Sequence, residues 1–201
     1  MKITFQHNNY YIEVFDDSAY TQKPDSPTQY DKVYEPEIDK EFKSSSQHAV
    51  AIYDGEKQIS NAIILAAAGA TSVTEDAAFI HDNNLILRCS NVVVSLAIPK
   101  LELNWMTPAD PITCFSIHKY REDYITYGEI SVSRIDKKGN VLWQFGSADI
   151  FLKLDGDSCF TMNDNSISLK NFDGTNYEID YNGKLLRTLT TIEKKPWWKF
   201  W

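Results

Sequence analysis

From Ala49 almost to Thr190, apolar and polar residues alternate in short runs, and turn-forming residues interrupt them every few positions. Runs of this length, rich in Val, Ile, Leu, Tyr and Phe, predict strands. They are expected over 49–53, 61–67, 77–81, 85–89, 92–98, 101–105, 112–119, 123–126, 129–135, 140–145, 149–154, 158–162, 166–171, 176–180 and 184–190. Asp54-Gly55, Pro99-Lys100, Asp173-Gly174 and Asn182-Gly183 are among the turns between them, and such residues enter tight turns with little strain. Ahead of this array, residues 2–15 (KITFQHNNYYIEVF) predict a hairpin about Asn8-Asn9. The pattern lapses from Asp16 to Gln47, where three prolines, many charges and a Ser triplet read as a long polar loop, with a helical turn or two over 34–42. The rival to an all-β reading is a helix over 57–70 (KQISNAIILAAAGA), favoured by its alanines and stopped at Gly69.

Three segments share one grammar: VVVSLAIPKLELNW ending at Trp105, ISVSRIDKKGNVLW ending at Trp143, and GTNYEIDYNGKLLR ending at Arg187. In each, a strand runs into a charged, polar or proline turn and an apolar strand returns. Trp143 follows Trp105 by 38 positions, and Gly183 follows Gly139 by 44. A period near 40–45 residues with four strands per unit is the mark of a propeller blade. Asp136 and Asp180 are placed to accept backbone N–H bonds across their turns, and Gly139 and Gly183 to supply a positive φ. The Trp would pack between neighbouring sheets.

This string resembles the blades of PQQ-type (quinoprotein-like) and WD-repeat propellers, in which D-x-x-G-x-x-x-W closes the outer hairpin. Asp136, Gly139 and Trp143 carry it completely. Asp180 and Gly183 match in the third copy, with Arg187 at the Trp position. Trp105 matches in the first, with Ile98 and Leu101 at the Asp and Gly positions. The resemblance covers roughly residues 77–190 and concerns the scaffold alone, so no quinone is carried over. The expected fold is all-β, with three or four propeller-like four-stranded meander units forming an incomplete or small propeller; a β-sandwich of meanders is the alternative. The expected organisation is an N-terminal hairpin and polar loop (1–47), a β-repeat domain (48–193) and an aromatic tail (194–201).

Composition narrows the partners. The net charge is −8, and no basic cluster exceeds two residues, so nucleic acid is not an expected partner. No run reaches the length of a membrane span, and the opening residues lack the basic-then-apolar order of a secretory signal; a cytoplasmic location is expected. Cys89, Cys114 and Cys159 each lie in or beside an apolar run and read as reduced core residues.

Catalytic strings are absent from the sequence. His7, His48, His81 and His118 are scattered, with no pair at a ligand spacing. The acidic turns Asp155-Gly156-Asp157, Asn163-Asp164-Asn165 and Asp173-Gly174-Thr175-Asn176 do not supply a twelve-residue calcium loop. No metal site and no cofactor is expected. Glu129, Arg134 and Asp149 stand out as charges inside strand-forming sequence. They read either as solvated or paired groups, or as the charged floor of a groove, which Glu102 and Asp110 could join. Trp197, Trp198 and Trp201 crowd the last five residues with Phe200, and read as a tail that packs on the array or docks a partner.

Three functions fit these residues. The first is a non-catalytic protein-binding module, of which a bacterial immunity-type protein that neutralises a basic toxin is a special case. The second is a hydrolase or lyase using Glu129 and Asp149. The third is a structural protein that forms oligomers through the tail or a sheet edge.

Overall fold

Asn8 takes a φ of 53°, and the hairpin it closes is β1 (Lys2–His7) and β2 (Tyr10–Asp16). The computed structural model of the chain describes residues 1–36, 44–152 and 158–190. Fifteen further strands follow among the described residues: β3 (Lys32–Tyr34), β4 (Ser46–Asp54), β5 (Lys57–Ala66), β6 (Ala78–His81), β7 (Asn84–Cys89), β8 (Val92–Ala97), β9 (Glu102–Pro108), β10 (Cys114–Tyr120), β11 (Asp123–Gly128), β12 (Ser131–Ile135), β13 (Val141–Gly146), β14 (Phe160–Met162), β15 (Ile167–Lys170), β16 (Thr175–Ile179) and β17 (Leu185–Thr190). There is no α-helix among the described residues.

Two compact units divide the chain, Met1–Gly146 and Ser147–Trp201. The first holds three sheets, in the orders β1-β2-β4-β5-β3, β6-β7-β8-β9 and β10-β11-β12-β13; the second holds β14-β15-β16-β17. The last three are antiparallel meanders with strands in chain order. The fold is thus all-β and propeller-like, with sheets of four or five strands.

Period-two alternation explains how the first unit stacks. Leu85, Leu87, Val92, Val94 and Leu96 send their side chains to one face, where they meet Ile12, Val14, Val50, Ile52, Ala62 and Ile64 of the first sheet. Ile86 and Val93, one position out of step, form a second core with Cys114, Ile117, Tyr124 and Ile135 of the third sheet. Burial on both faces gives the near-continuous apolar runs of β5, β7 and β8. It also decides residues 57–70 against a helix. Alanine's helix preference is worth a few tenths of a kcal/mol per residue, whereas a buried Ile or Leu contributes about 1.5–3 kcal/mol. Ile63 and Ile64 are fully buried on opposite faces of β5.

The polar loop is also structured. Its β3 pairs in parallel with β5, and Tyr20, Phe15 and Tyr30 cover Ala49, Ile63 and Leu65 on the outer face of the first sheet. Tyr34, expected at the start of a helical turn, belongs to β3; residues 37–43 of that segment lie outside the described residues. The strand expected over 149–154 does not form in its described part. There the Ser147 hydroxyl donates to the Asp149 carbonyl, the Asp149 N–H donates back to it at 3.2 Å, and the Ile150 N–H donates to the Asp149 carboxylate at 2.8 Å. Side chains thereby take backbone groups a ladder would use. The Asp155-Gly156-Asp157 turn and the tail with Trp197, Trp198 and Trp201 lie outside the described residues.

The repeated turns share one backbone. The Asp136 Oδ1 atom accepts from the N–H groups of Lys138 and Asn140, and the Asp180 Oδ1 atom accepts from those of Asn182 and Lys184. Gly139 and Gly183 have φ of 87° and 79°. Leu101, at the equivalent position of the first copy, also has a positive φ, 55°. Its side chain is fully buried, and this burial offsets the strain of that conformation in a non-glycine residue. Trp105 packs as expected of the motif: its indole N–H donates to the Lys137 carbonyl at 3.0 Å, and the ring lies against the next sheet's turn. A Cβ on Gly139 would stand 2.7 Å from that ring, while one on Gly55 (φ 60°) would meet nothing within 4 Å. Gly139→Ala should therefore cost clearly more stability than Gly55→Ala, for which about 1 kcal/mol of left-handed strain is expected. Urea denaturation of the two variants checks the order.

Candidate functional site

The charged residues singled out in the sequence each have their own surroundings. Arg134, on β12, donates through Nε to Asp123 Oδ2 at 2.7 Å and through Nη2 at 2.5 Å. Its guanidinium also lies 5.1 Å from the centre of the Tyr120 ring. Asp123 and Tyr120 face each other at the end of the β10–β11 hairpin, so the arginine braces that hairpin. Glu129 lies in the β11–β12 turn. Its carboxylate accepts from the Thr113 hydroxyl at 3.0 Å, and its N–H donates to the Thr113 carbonyl at 2.8 Å. Asp149 belongs to the second unit and bonds within its own turn. Glu102 is exposed and lies 3.6 Å from the Lys32 ammonium.

Asp110 is a heavily bonded carboxylate of the first unit. Its Oδ1 atom accepts from the N–H groups of Ile112 (2.8 Å) and Thr113 (3.0 Å). Its Oδ2 atom accepts from the N–H groups of Ile130 (2.9 Å) and Ser131 (2.8 Å) and from the Ser131 hydroxyl (3.0 Å). The side chain is buried, and Gly128 leaves it room: a Cβ there would stand 2.3 Å from Oδ2. One charge thus satisfies five neutral donors and ties the β9–β10 loop to the β11–β12 turn.

A second buried polar group is one of the scattered histidines, whose burial and partners the sequence does not show. His48, on β4, is fully buried. Its Nδ1 atom lies 2.9 Å from the Arg88 carbonyl, and its Nε2 atom 3.2 Å from the Thr71 carbonyl and 3.3 Å from Asp16 Oδ1. Asp16 also accepts the Val73 N–H on both oxygens, which pins the β5–β6 loop to the end of β2. Burial pushes the His48 pKa down, against the raising influence of the Thr71 and Arg88 carbonyls and Asp16. Arg88, also buried, donates to the Thr74 hydroxyl at 2.6 Å. The thiols of Cys89 and Cys114 are pushed up to about 12 by burial, so both are inert core groups.

The surface has a repeated feature. Leu103, Val141 and Leu185 occupy equivalent positions on β9, β13 and β17, the last strand of each meander, and all three are exposed. Leu142 and Leu186 follow them at 52% and 53% exposure, and Leu189 stands at 55%. At the Trp position Arg187 forms an ion pair with its cross-strand neighbour Glu178. This pair borders a groove of about 360 Å³ on the β14–β17 sheet, lined also by Phe160, Lys170, Tyr177 and Leu189. The signal for this surface was in the sequence, in the apolar pairs Val141-Leu142 and Leu185-Leu186 at strands that end a repeat.

No protein family and no curated protein matches the chain. Several solved structures resemble it. The AfRom2 CNH domain, a β-propeller, is 8% identical with a TM-score of 0.50, over 94% of this chain and 54% of that one. BamB from Moraxella catarrhalis is 10% identical with a TM-score of 0.45, over 71% of this chain and 44% of that one. The computationally designed Ika8 protein is 12% identical with a TM-score of 0.43, over 93% and 60%. The chain spans about half the length of these structures. The likeness to the CNH domain supports the propeller-like fold.

Removing the Asp110 carboxylate leaves several buried donors without an acceptor. Asp110→Ala should lower the unfolding free energy by about 3 kcal/mol, and Glu102→Ala by less than about 0.5 kcal/mol; urea denaturation reads both. His48 titrates near 6.5 when unfolded and lower when folded, so the unfolded chain takes up its proton first. The His48 contribution to stability is therefore complete above about pH 6.5 and is lost as the pH falls from there through the folded pKa. His118 is pushed down by burial as well and acts in the same direction. Denaturation midpoints should fall between pH 7.5 and 5.5, and His48→Gln should reduce that fall without abolishing it.

Proposed function

We propose that this protein is a non-catalytic protein-binding module that engages its partner along the outer strands of its meanders. The observation that carries this reading is the recurrence of exposed aliphatic side chains at equivalent positions of β9, β13 and β17. Solvated outer strands ordinarily carry polar or charged side chains that discourage association, and these carry Leu and Val in every copy. An edge strand with free N–H and C=O groups can accept an added strand, and alternate side chains then give specificity. The net charge of −8 favours a basic partner, and a toxin neutralised by an immunity-type protein is one case. The carboxylates considered for acid and base chemistry are engaged elsewhere: Glu129 by Thr113, and Asp149 by its own turn.

The test uses two variants, Leu142→Lys and Leu186→Lys/Leu189→Lys, first shown by circular dichroism and thermal melting to fold like the parent. Affinity capture from the native host should recover a stoichiometric basic protein with the parent chain, and recovery should fall at least tenfold with at least one of the two variants. Equal recovery with all three chains sinks the outer-strand reading. If the parent captures only itself, and light scattering shows a dimer that the variants lose, the surface joins copies of this chain and the structural reading replaces the binding one.

A further inference from the structure

Two tight turns meet at one end of the second and third sheets. The β6–β7 turn is Asp82-Asn83, with Asp82 at a φ of 54°, and the β10–β11 turn is Arg121-Glu122, with Arg121 at 55°. Positive φ at the first position is how a two-residue turn follows the strand twist. It lets each turn present a carboxylate next to the last residue of β6, His81. Nitrogen and oxygen atoms of His81, Asp82 and Glu122 all lie within 4.8 Å of one another. His81 and Asp82 are neighbours in the chain, Glu122 lies 40 positions further on, and only the stacking of the two sheets brings it to them.

His81 distinguishes this cluster from an ordinary patch of surface acids. Its side chain is only 4% exposed, although it ends a strand. The ring is fixed on one side by Tyr124, whose hydroxyl lies 3.1 Å from Nδ1 and whose ring stands edge-on to the imidazole at 87°. The other nitrogen, Nε2, has no hydrogen-bond partner among the described residues. It points between the two carboxylates, 4.0 Å from Asp82 Oδ2 and 4.0 Å from Glu122 Oε2. That separation is too long for a hydrogen bond. It suits two ligands of one ion: with bonds of about 2.0–2.2 Å, ligand atoms lie about 3.3–4.3 Å apart, depending on the angle at the metal.

We infer that His81, Asp82 and Glu122 form a binding site for a divalent transition-metal cation of the zinc type, clipping the β6–β7 turn to the β10–β11 turn. One imidazole and two carboxylates make a borderline donor set that suits zinc better than calcium or magnesium, which favour oxygen alone. With Nδ1–H donating to the Tyr124 oxygen, the Nε2 lone pair faces the ion, and this second interaction orients the ligand as metal-bound histidines require. Asp82 and Glu122 are 75% and 69% exposed, so they can close by a few tenths of an ångström, and the remaining coordination positions open to water. Lys137, on the β12–β13 turn, brings its ammonium to 4.0 Å from Glu122 Oε2 and competes with the cation for that oxygen.

The test is zinc binding by calorimetry on the full chain, freed of metal by chelator and dialysis, with cobalt substitution as a spectroscopic readout. One equivalent of zinc should bind and raise the melting temperature. Cobalt should give visible absorption bands of a four- or five-coordinate site. Asp82→Asn and Glu122→Gln change exposed turn residues and should leave the fold intact while weakening binding at least tenfold each. Lys137→Ala should strengthen binding about two- to tenfold. Absence of binding by the parent chain overturns the site. So does binding that persists unchanged in the Asp82→Asn/Glu122→Gln double variant, because the metal would then sit elsewhere.

Discussion

The second sheet is buried on both faces, and much of the first unit follows from that constraint. Each of its central strands must supply apolar side chains to two cores at once. Leu85, Leu87, Val92 and Val94 fill one, and Ile86 and Val93 the other. A slip of one residue in β7 or β8 would exchange the two sets, so the register is held by packing from both sides. The turns are then delivered to fixed places. The Trp105 ring reaches the Gly139 turn of the next sheet, and the Asp82 and Glu122 turns come together at one end of the stack.

Buried polarity in the first unit serves the same stacking. Asp110 gathers five donors from two connections, and Asp16 with His48 gathers the end of β2, the start of β4 and the loop that precedes β6. These are the places where the chain leaves one strand or sheet for another and loses its ladder bonds. A buried carboxylate that accepts several backbone N–H groups replaces those bonds in one step. The outer strands differ. Their repeated aliphatic side chains stay exposed, and the proposed binding role draws on them.

Much of the fold was legible in the sequence, because strand alternation and turn residues are local signals. The hairpin about Asn8, the four-stranded meanders and the shared turn of Asp136 and Asp180 all follow from residues close together in the chain. Less legible were the parallel pairing of β3 with β5 and the covering of Ile63 and Leu65 by Tyr20. Both lie in a segment of poor periodicity and depend on what the first sheet offers them. Residues 149–152 had strand-like composition, yet side-chain bonds from Ser147 and Asp149 took the backbone groups instead.

The candidate sites divide in the same way. The apolar pairs Val141-Leu142 and Leu185-Leu186 are visible in the sequence as departures from alternation, and the repeat alignment places them at equivalent positions. Glu129 and Arg134 were visible as charges in strand-forming surroundings, and Asp110 only as a residue that could join them, but their partners were not. His81, Asp82 and Glu122 gave no spacing signal, since the residues that meet come from two turns of two sheets. The sequence by itself determined that this chain forms strands, where most of them turn, and that a blade-like unit recurs, because those features rest on side-chain alternation and on the φ preferences of a few residues. Only the tertiary structure decided which charges are bonded and which histidine faces two carboxylates, because contacts between sheets depend on stacking, and stacking brings together residues that no local pattern relates.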